Sequence, residues 1–195
     1  MNGRSVVTFD GLDDFLSFGS AVVGSTHTLA IVFGSRGNSV GSVFSQWAPS
    51  QTGRYLWSAN QDSGGSFSLN RLNVFNSSAS GSGWGGLAAD VAISPSGQLV
   101  LSLSSTGVDN LGLYKNGEIW ETASISDLYT GVNSGLGTLN VNTGGNYLNG
   151  FIAEIVNLNV RASTSDRQRL EGYLAHKWGL AGSLPVGHPW KAAAP

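Results

Sequence analysis

The sequence predicts an all-β fold, two antiparallel sheets packed as a jelly-roll sandwich, with one α-helix near the C-terminal end. Three observations carry that prediction. Short runs of alternating side chains, about a dozen in all, fill most of the chain. Turn signals rich in Gly, Ser, Asn and Pro separate them roughly every 8–12 residues. A single stretch, Ser163 to Trp178, departs from alternation and takes up helical spacing.

The runs follow in order. Ser5 to Phe9 alternates Val6 and Thr8 against Val7 and Phe9, and Asp10-Gly11 opens a turn that leads into Phe15, Leu16 and Phe18. His27 to Phe33 places Leu29, Ile31 and Phe33 on one face and Thr28, Ala30 and Val32 on the other. Apolar residues on both faces mark a central strand covered on both sides. Val43 to Trp47 and Arg54 to Trp57 read as a hairpin around Pro49 to Gly53, and Phe67 to Phe75 and Leu87 to Ile93 supply further strands. Gln98 to Ser104 follows the Pro95-Ser96-Gly97 turn. Leu111 to Lys115 and Glu118 to Ala123 flank Asn116-Gly117, a pair that tolerates the positive φ of a type I′ turn. Thr130 to Gly135 reads as loop and Leu136 to Val141 as strand.

The final strand begins at Gly150, with Phe151, Ala153 and Ile155 facing one way and Ile152, Val156, Leu158 and Val160 the other. Ser163 with Asp166 three residues on forms the Asp variant of a capping box, and Gly179 supplies a C-terminal stop. Leu170, Tyr173, Leu174 and Trp178 fall at i, i+3, i+4 and i+8, one apolar stripe. That stripe must lie on the sheets, and the sequence predicts that the helix crosses one end or rim of the sandwich. Residues 1–190 read as one domain and 191–195 as a short tail.

Composition narrows the function. The 195 residues include 28 glycines, are 11% charged and 41% apolar, and carry a formal charge of −2. A basic footprint for nucleic acid is lacking, and no run approaches the roughly 20 apolar residues of a membrane helix. The residues after Met1 have strand character, unlike a signal peptide. With no cysteine, disulfides and cysteine-based metal or nucleophile chemistry are excluded.

The run GFIAEI, a polar break, then RQRLEGYLAHKWGL, LP and HPW resembles the C-terminal signature of laminin-G-like, concanavalin-A-like jelly-roll modules. VVTFDGLDDFLSF resembles their opening strand and turn, and LGLYKNGEIWETAS their late hairpin. Such modules are frequent in bacteriophage structural proteins and bacterial surface proteins. The resemblance therefore implies a virion surface subunit (a capsid decoration, head fibre or tail-fibre component) or an extracellular, cell-surface one. It also implies a homo-oligomer, with trimer as the first expectation, contacting other virion proteins.

Hydrolysis of glycans is the enzymatic alternative, because concanavalin-A-like folds host glucanases. It needs two carboxyls roughly 5–9.5 Å apart. Glu118 and Glu121, three apart in a strand, are expected on opposite faces; Glu154 stands alone and Glu171 lies on the helix, so no catalytic residue is assigned. Glu154 is expected to pair with Arg4 or Arg161 or to accept backbone N–H groups. Asp10, Asp13 and Asp14 are the candidate metal ligands, for calcium, but three acids in five residues fit an Asx-type turn better. No metal and no cofactor is therefore expected. His27, His176 and His188 show no metal spacing, and His188-Pro189-Trp190 reads as a strip that closes the fold. Trp84, Tyr129 and Tyr147 lie in loop contexts beside Asn, Asp or Ser, the pairing of flat apolar face and hydrogen-bonding group that sugars require. These three are the candidate carbohydrate-binding residues. Trp47, Trp57, Trp120 and Trp178 fall in strand or helix patterns and read as packing. A non-enzymatic adhesion module, a purely structural virion subunit and a glycan hydrolase are the three readings carried forward.

Overall fold

The computed structural model describes residues 1–47, 54–62, 66–77, 86–105, 111–123 and 133–195. Among the described residues twelve strands are formed: β1 (Val7–Asp10), β2 (Leu16–Phe18), β3 (His27–Ser35), β4 (Gly41–Gln46), β5 (Arg54–Gln61), β6 (Phe67–Ser77), β7 (Gly86–Ala92), β8 (Gln98–Ser104), β9 (Leu111–Lys115), β10 (Glu118–Ala123), β11 (Ser134–Leu136) and β12 (Asn149–Leu158). They make two six-stranded sheets, sheet I in the order β1-β12-β3-β8-β9-β10 and sheet II in the order β2-β11-β4-β5-β6-β7. Every neighbouring pair is antiparallel.

Between the sheets lies the main core. Leu29, Ile31 and Phe33 of β3 meet Val43 and Phe44 of β4, Tyr55 and Trp57 of β5, and Leu72 and Val74 of β6. The predicted second face of β3 is also covered. Ala30 and Val32, with Leu99, Leu101 and Leu103 of β8, form an apolar patch on the outside of sheet I. Helix α1 (Thr164–Trp178) lies on that patch through Leu174, Ala175 and Trp178, joined by Leu180 and Leu184. The helix thus covers a sheet face and not the end or rim that its position in the sequence suggested. The reason is β8 and β3 themselves, which leave five apolar side chains facing outward.

The helix ends are as the sequence predicts. Ser163 Oγ accepts the Asp166 N–H at 3.2 Å and donates to Asp166 Oδ2 at 2.7 Å, and Gly179 turns left-handed at φ 75°. The buried stripe differs. Tyr173 is 45% exposed, while Arg167 and Glu171 are buried on the sheet-facing side. Their charges are met locally: Arg167 Nη1 donates to both Glu171 oxygens at 2.6 and 2.7 Å, and its guanidinium stacks 4.1 Å above the Tyr114 ring. His188 Nδ1 accepts the Trp190 N–H, so Nε2 carries the proton that reaches Glu171 Oε2 at 3.1 Å. The His188-Pro189-Trp190 strip does close the fold. His176 Nε2 donates to Trp190 O at 2.9 Å, and Trp190 sits so close to Gly172 that a Cβ there would stand 2.4 Å from the Trp190 Cβ. Lys191 is tied to Gly182 O at 2.9 Å and to Leu184 O. At the other end of the chain, Asn2 Nδ2 donates to His176 O and Lys177 O, and Arg4 Nε to Lys177 O.

Simple alternation fails where a strand bulges. In β12 the register shifts between Ile152 and Glu154. Ile152 and Ile155 consequently both reach the inter-sheet core while Ala153 and Val156 face the helix, where strict alternation had put Ile152 and Ile155 on opposite sides. The predicted strand over Leu136 to Val141 is displaced: Ser134–Leu136 forms β11, and Gly137, at φ 85°, starts a series of turns that returns to β12. The Asn116-Gly117 hairpin is formed as predicted, with φ of 49° and 85°.

Two outcomes are expected. Trp178 is buried and donates Nε1 to Glu154 Oε2 at 2.6 Å, so Trp178→Ala should cost about 3–5 kcal/mol in chemical denaturation. His27, buried between the sheets, donates Nδ1–H to Gly24 O at 2.8 Å and accepts from Ser102 Oγ at 3.0 Å. Burial lowers its pKa from 6.5 to about 4, the Gly24 bond opposing the shift and Arg161 adding to it. The folded value lies below the unfolded one. Its stabilising contribution is therefore complete above pH 6.5 and is lost as pH falls towards 4, about 3 kcal/mol in total. Denaturation midpoints measured from pH 7 to pH 4 should decline accordingly, with a flatter decline in His27→Gln.

Candidate functional site

The outward face of sheet II carries the arrangement that core packing does not explain. Trp57 and Ala59 of β5 and Leu72 and Val74 of β6 point inward, so Leu56, Ser58, Asn73 and Phe75 point outward. Register aligns them across strands: Ser42 of β4 lies opposite Ser58, Ser58 opposite Asn73, and Leu56 opposite Phe75. The result is two parallel rows. Ser42, Ser58 and Asn73 make a polar row about 10 Å long at ordinary strand spacing. Leu56 and Phe75 form an apolar row two residues further along.

All five side chains are buried, the polar ones to 0–1% exposure. Ser42 Oγ, Ser58 Oγ and both Asn73 side-chain atoms make no hydrogen bond. A buried polar atom left unpaired costs about 1–3 kcal/mol, and a few per hundred residues are usual in native folds. The rows have defined borders. Trp47 packs against Phe75 with ring centroids 5.5 Å apart and planes tilted by 45°, and the Arg54 guanidinium lies 4.5 Å above the Trp47 ring. Beyond the polar row, Asn60, left-handed at φ 57°, donates to Gly37 O and Ser39 O and accepts the Asn70 N–H, which fixes the bulge there.

Of the residues predicted to bind carbohydrate, Trp84 and Tyr129 lie outside the described residues. Tyr147 is half-buried in the loop whose Asn146 carbonyl accepts the Ser42 N–H at 2.8 Å, so it stands at the Ser42 end of the polar row. Its hydroxyl folds back over Gly144, where a Cβ would approach it to 2.0 Å. Sequence reasoning missed Ser42, Ser58 and Asn73. The available signal was a serine or asparagine between inward aromatic and aliphatic residues in SVFS, LWSAN and LNVFN, a pattern normally read as a solvent-facing side.

Asp10, Asp13 and Asp14 are exposed, with one carboxylate oxygen of each within 4.8 Å of the others. Asp10 Oδ1 accepts the Leu12 N–H at 2.8 Å and Asp14 Oδ2 the Asp10 N–H at 3.2 Å, which is the work of an Asx-type turn. Glu154 is half-buried and has partners other than those expected: Lys177 Nζ at 2.9 Å and Trp178 Nε1, both from the helix that covers it. Arg4 and Arg161 instead donate to the carbonyls of Lys177 and Leu103. Glu118 and Glu121 correct a second expectation. They pair with Lys115 and Leu113, alternate residues of β9, so the bulge at Trp120 brings them to one side of β10. Glu118 is exposed, and Glu121 Oε1 accepts the Thr122 N–H at 3.2 Å. A groove of about 380 Å3 beside them is lined by Lys115, Asn116, Glu118, Ile119, Trp120 and Ser183.

Neither a protein-family model nor a curated protein sequence matches the chain. Solved structures do match in fold. A heptameric SAP-like pentraxin from Limulus polyphemus superposes with a TM-score of 0.59 at 14% identity, over 82% of this chain and 77% of that one. The CBM40 domain of a Ruminococcus gnavus IT-sialidase, solved bound to α2,6-sialyllactose, gives 0.58 at 14% identity, over 83% and 95%. A NanB sialidase from Streptococcus pneumoniae gives 0.56 at 14% identity over 84% of this chain, which spans 27% of that larger one. The fold is a two-sheet jelly-roll sandwich, shared with these lectin-like domains.

If the Asp10, Asp13 and Asp14 carboxylates serve the turn alone, EDTA should leave the melting temperature unchanged. A fall reversed by calcium would assign them to an ion.

Proposed function

We propose that this chain is a non-catalytic glycan-binding module, one domain over residues 1–190, that attaches a larger assembly to a polysaccharide or cell surface. The observation that carries the reading is the fold, since one neighbour of the same architecture is solved with sialyllactose bound. Tyr147, half-buried in the turn before β12, and Trp84 and Tyr129 are the proposed contacts.

The setting proposed is the surface of a virion, on the resemblance of Gly150 to Trp190 to modules of phage structural proteins. There the chain acts as a homo-oligomer, a trimer first, beside other virion proteins. A purely structural subunit is the alternative if no glycan is bound. The hydrolase reading rests on one observation, the Glu118 and Glu121 pair on one side of β10 next to the Trp120 groove.

On a glycan array the wild type should give discrete positives that fall at least tenfold in Tyr147→Ala. Incubation with those glycans should release no reducing ends; release abolished by Glu118→Gln would make the protein an enzyme. Light scattering of the isolated chain reads the oligomer directly, and a monodisperse monomer would remove the trimer.

A further inference from the structure

We infer that the outer edge of β10 is a second glycan site, one that takes an uncharged sugar chain and rejects an acidic one. The inference rests on the glycan-binding reading and adds a site to it. β10 ends sheet I, so among the described residues its outer edge has no strand partner. Two open grooves adjoin there. The groove of about 380 Å3 begins at the Asn116-Gly117 turn, and one of about 250 Å3 continues past Glu121 and Thr122. Ile119 and Trp120 wall both, so the two form one trough. From Glu118 to Thr122 it runs roughly 13 Å at strand spacing, a length suited to a chain of sugar units.

The groups along the trough define its ligand. Glu118 is exposed, and its carboxylate has no hydrogen-bond partner among the described residues. Glu121 keeps Oε2 open, since Oε1 is the atom that accepts the Thr122 N–H. Their partners are alternate residues of β9, so the two carboxylates spring from one side of β10 roughly 7 Å apart. A carboxylate only accepts, and a ligand must therefore bring donors to both. Asn116 Oδ1 is committed to the Leu99 N–H at 2.9 Å, which leaves the Asn116 amide to donate. Hydroxyls donate and accept, and so answer carboxylate and amide alike. Ile119, 51% exposed, and Trp120 offer apolar surface between these polar ends, where the C–H face of a sugar ring can lie.

Charge and backbone geometry exclude the rivals. Among the described residues the trough has two carboxylates and one ammonium, Lys115, whose Nζ donates to Ala92 O. An acidic sugar would set its own carboxylate beside Glu118 or Glu121, and like charges so placed oppose binding. An extended peptide would add a strand to β10, but the register shift at Trp120 breaks the even spacing of edge donors and acceptors. The Thr122 N–H is moreover already taken.

The test is affinity electrophoresis of the full chain through gels holding dextran, mannan or hydroxyethylcellulose, and through gels holding the carboxymethyl form of each. At least one neutral polymer should retard the chain, and its carboxymethyl form should not. Glu118→Ala should weaken that retardation at least fivefold at an unchanged melting temperature, because Glu118 is exposed. Glu118→Lys should gain retardation by the carboxymethyl form, which damage to the fold cannot produce. Asp13→Lys makes the same charge change at the opposite edge of the sandwich and should gain nothing. An equal gain in both would reduce the effect to overall charge and overturn the selection. Equal retardation of the wild type by neutral and carboxymethyl forms would also overturn it. Neutral binding that persists in Glu118→Ala and is lost in Tyr147→Ala would remove the β10 site and keep the glycan reading. No retardation by the three neutral polymers, beside positives on the array, would do the same. Binding of a (Lys-Thr)4 peptide in their place, lost in Glu118→Ala, would reassign the trough to basic peptides. No saccharide bound by either method would remove both readings.

Discussion

Strand β3 sets the constraint on which the rest of the structure depends: it is apolar on both faces. Leu29, Ile31 and Phe33 require a second sheet, and Ala30 and Val32, continued by Leu99, Leu101 and Leu103 of β8, require a further layer outside the first. Burial at about 25 cal/mol per Å2 makes either face costly to leave wet. The sandwich answers the first demand and helix α1 the second. The molecule is consequently three layers deep on the side of sheet I.

Covering sheet I in this way brings charge into the interior. Arg167 and Glu171 enter with the helix because their positions, unlike that of the exposed Tyr173, face the sheet. The pair is held by two bonds between them, the Tyr114 ring beneath the guanidinium, and the His188 N–H on Glu171 Oε2, an oxygen it shares with Arg167. Removing one member of such a group strands the others, so its value is greater as specificity than as net stability. The same residues explain why the C-terminal strip is held at a fixed place. His188 is bonded both to the helix and to the strip's own Trp190.

Much of the architecture was legible in the residues. Two-faced β3, the Asn116-Gly117 turn, the Ser163 cap and the Gly179 stop each follow from local sterics or hydrogen bonding, which neighbours cannot easily override. What was not legible depended on a bulge or on tertiary choice. One extra residue in β12 and one in β10 changed which side chains share a face, and no residue pattern announces a bulge in IAE or IWE. The helix stripe was misread because hydrophobicity alone favours Tyr173, whereas a paired Arg and Glu can take a buried position when a third partner waits on the sheet side. The polar row was invisible for a different reason. Ser42, Ser58 and Asn73 are ordinary surface residues until the register sets them side by side.

The bonds from Asn2 and Arg4 to the end of α1, with β1 paired to β12, have a consequence for the order of events in folding. Among the described residues the first strand finds its sheet partner some 140 residues later, and the central strand β3 is flanked on one side by that same late strand. Contacts of such sequence separation must close large loops before they repay the entropy, which slows folding. During synthesis, most of sheet I therefore waits, with β3 and β8 exposed on their outer face, until the chain has emerged past Trp178. The early two thirds of the polypeptide is a set of strands in search of a partner, and the last quarter supplies it.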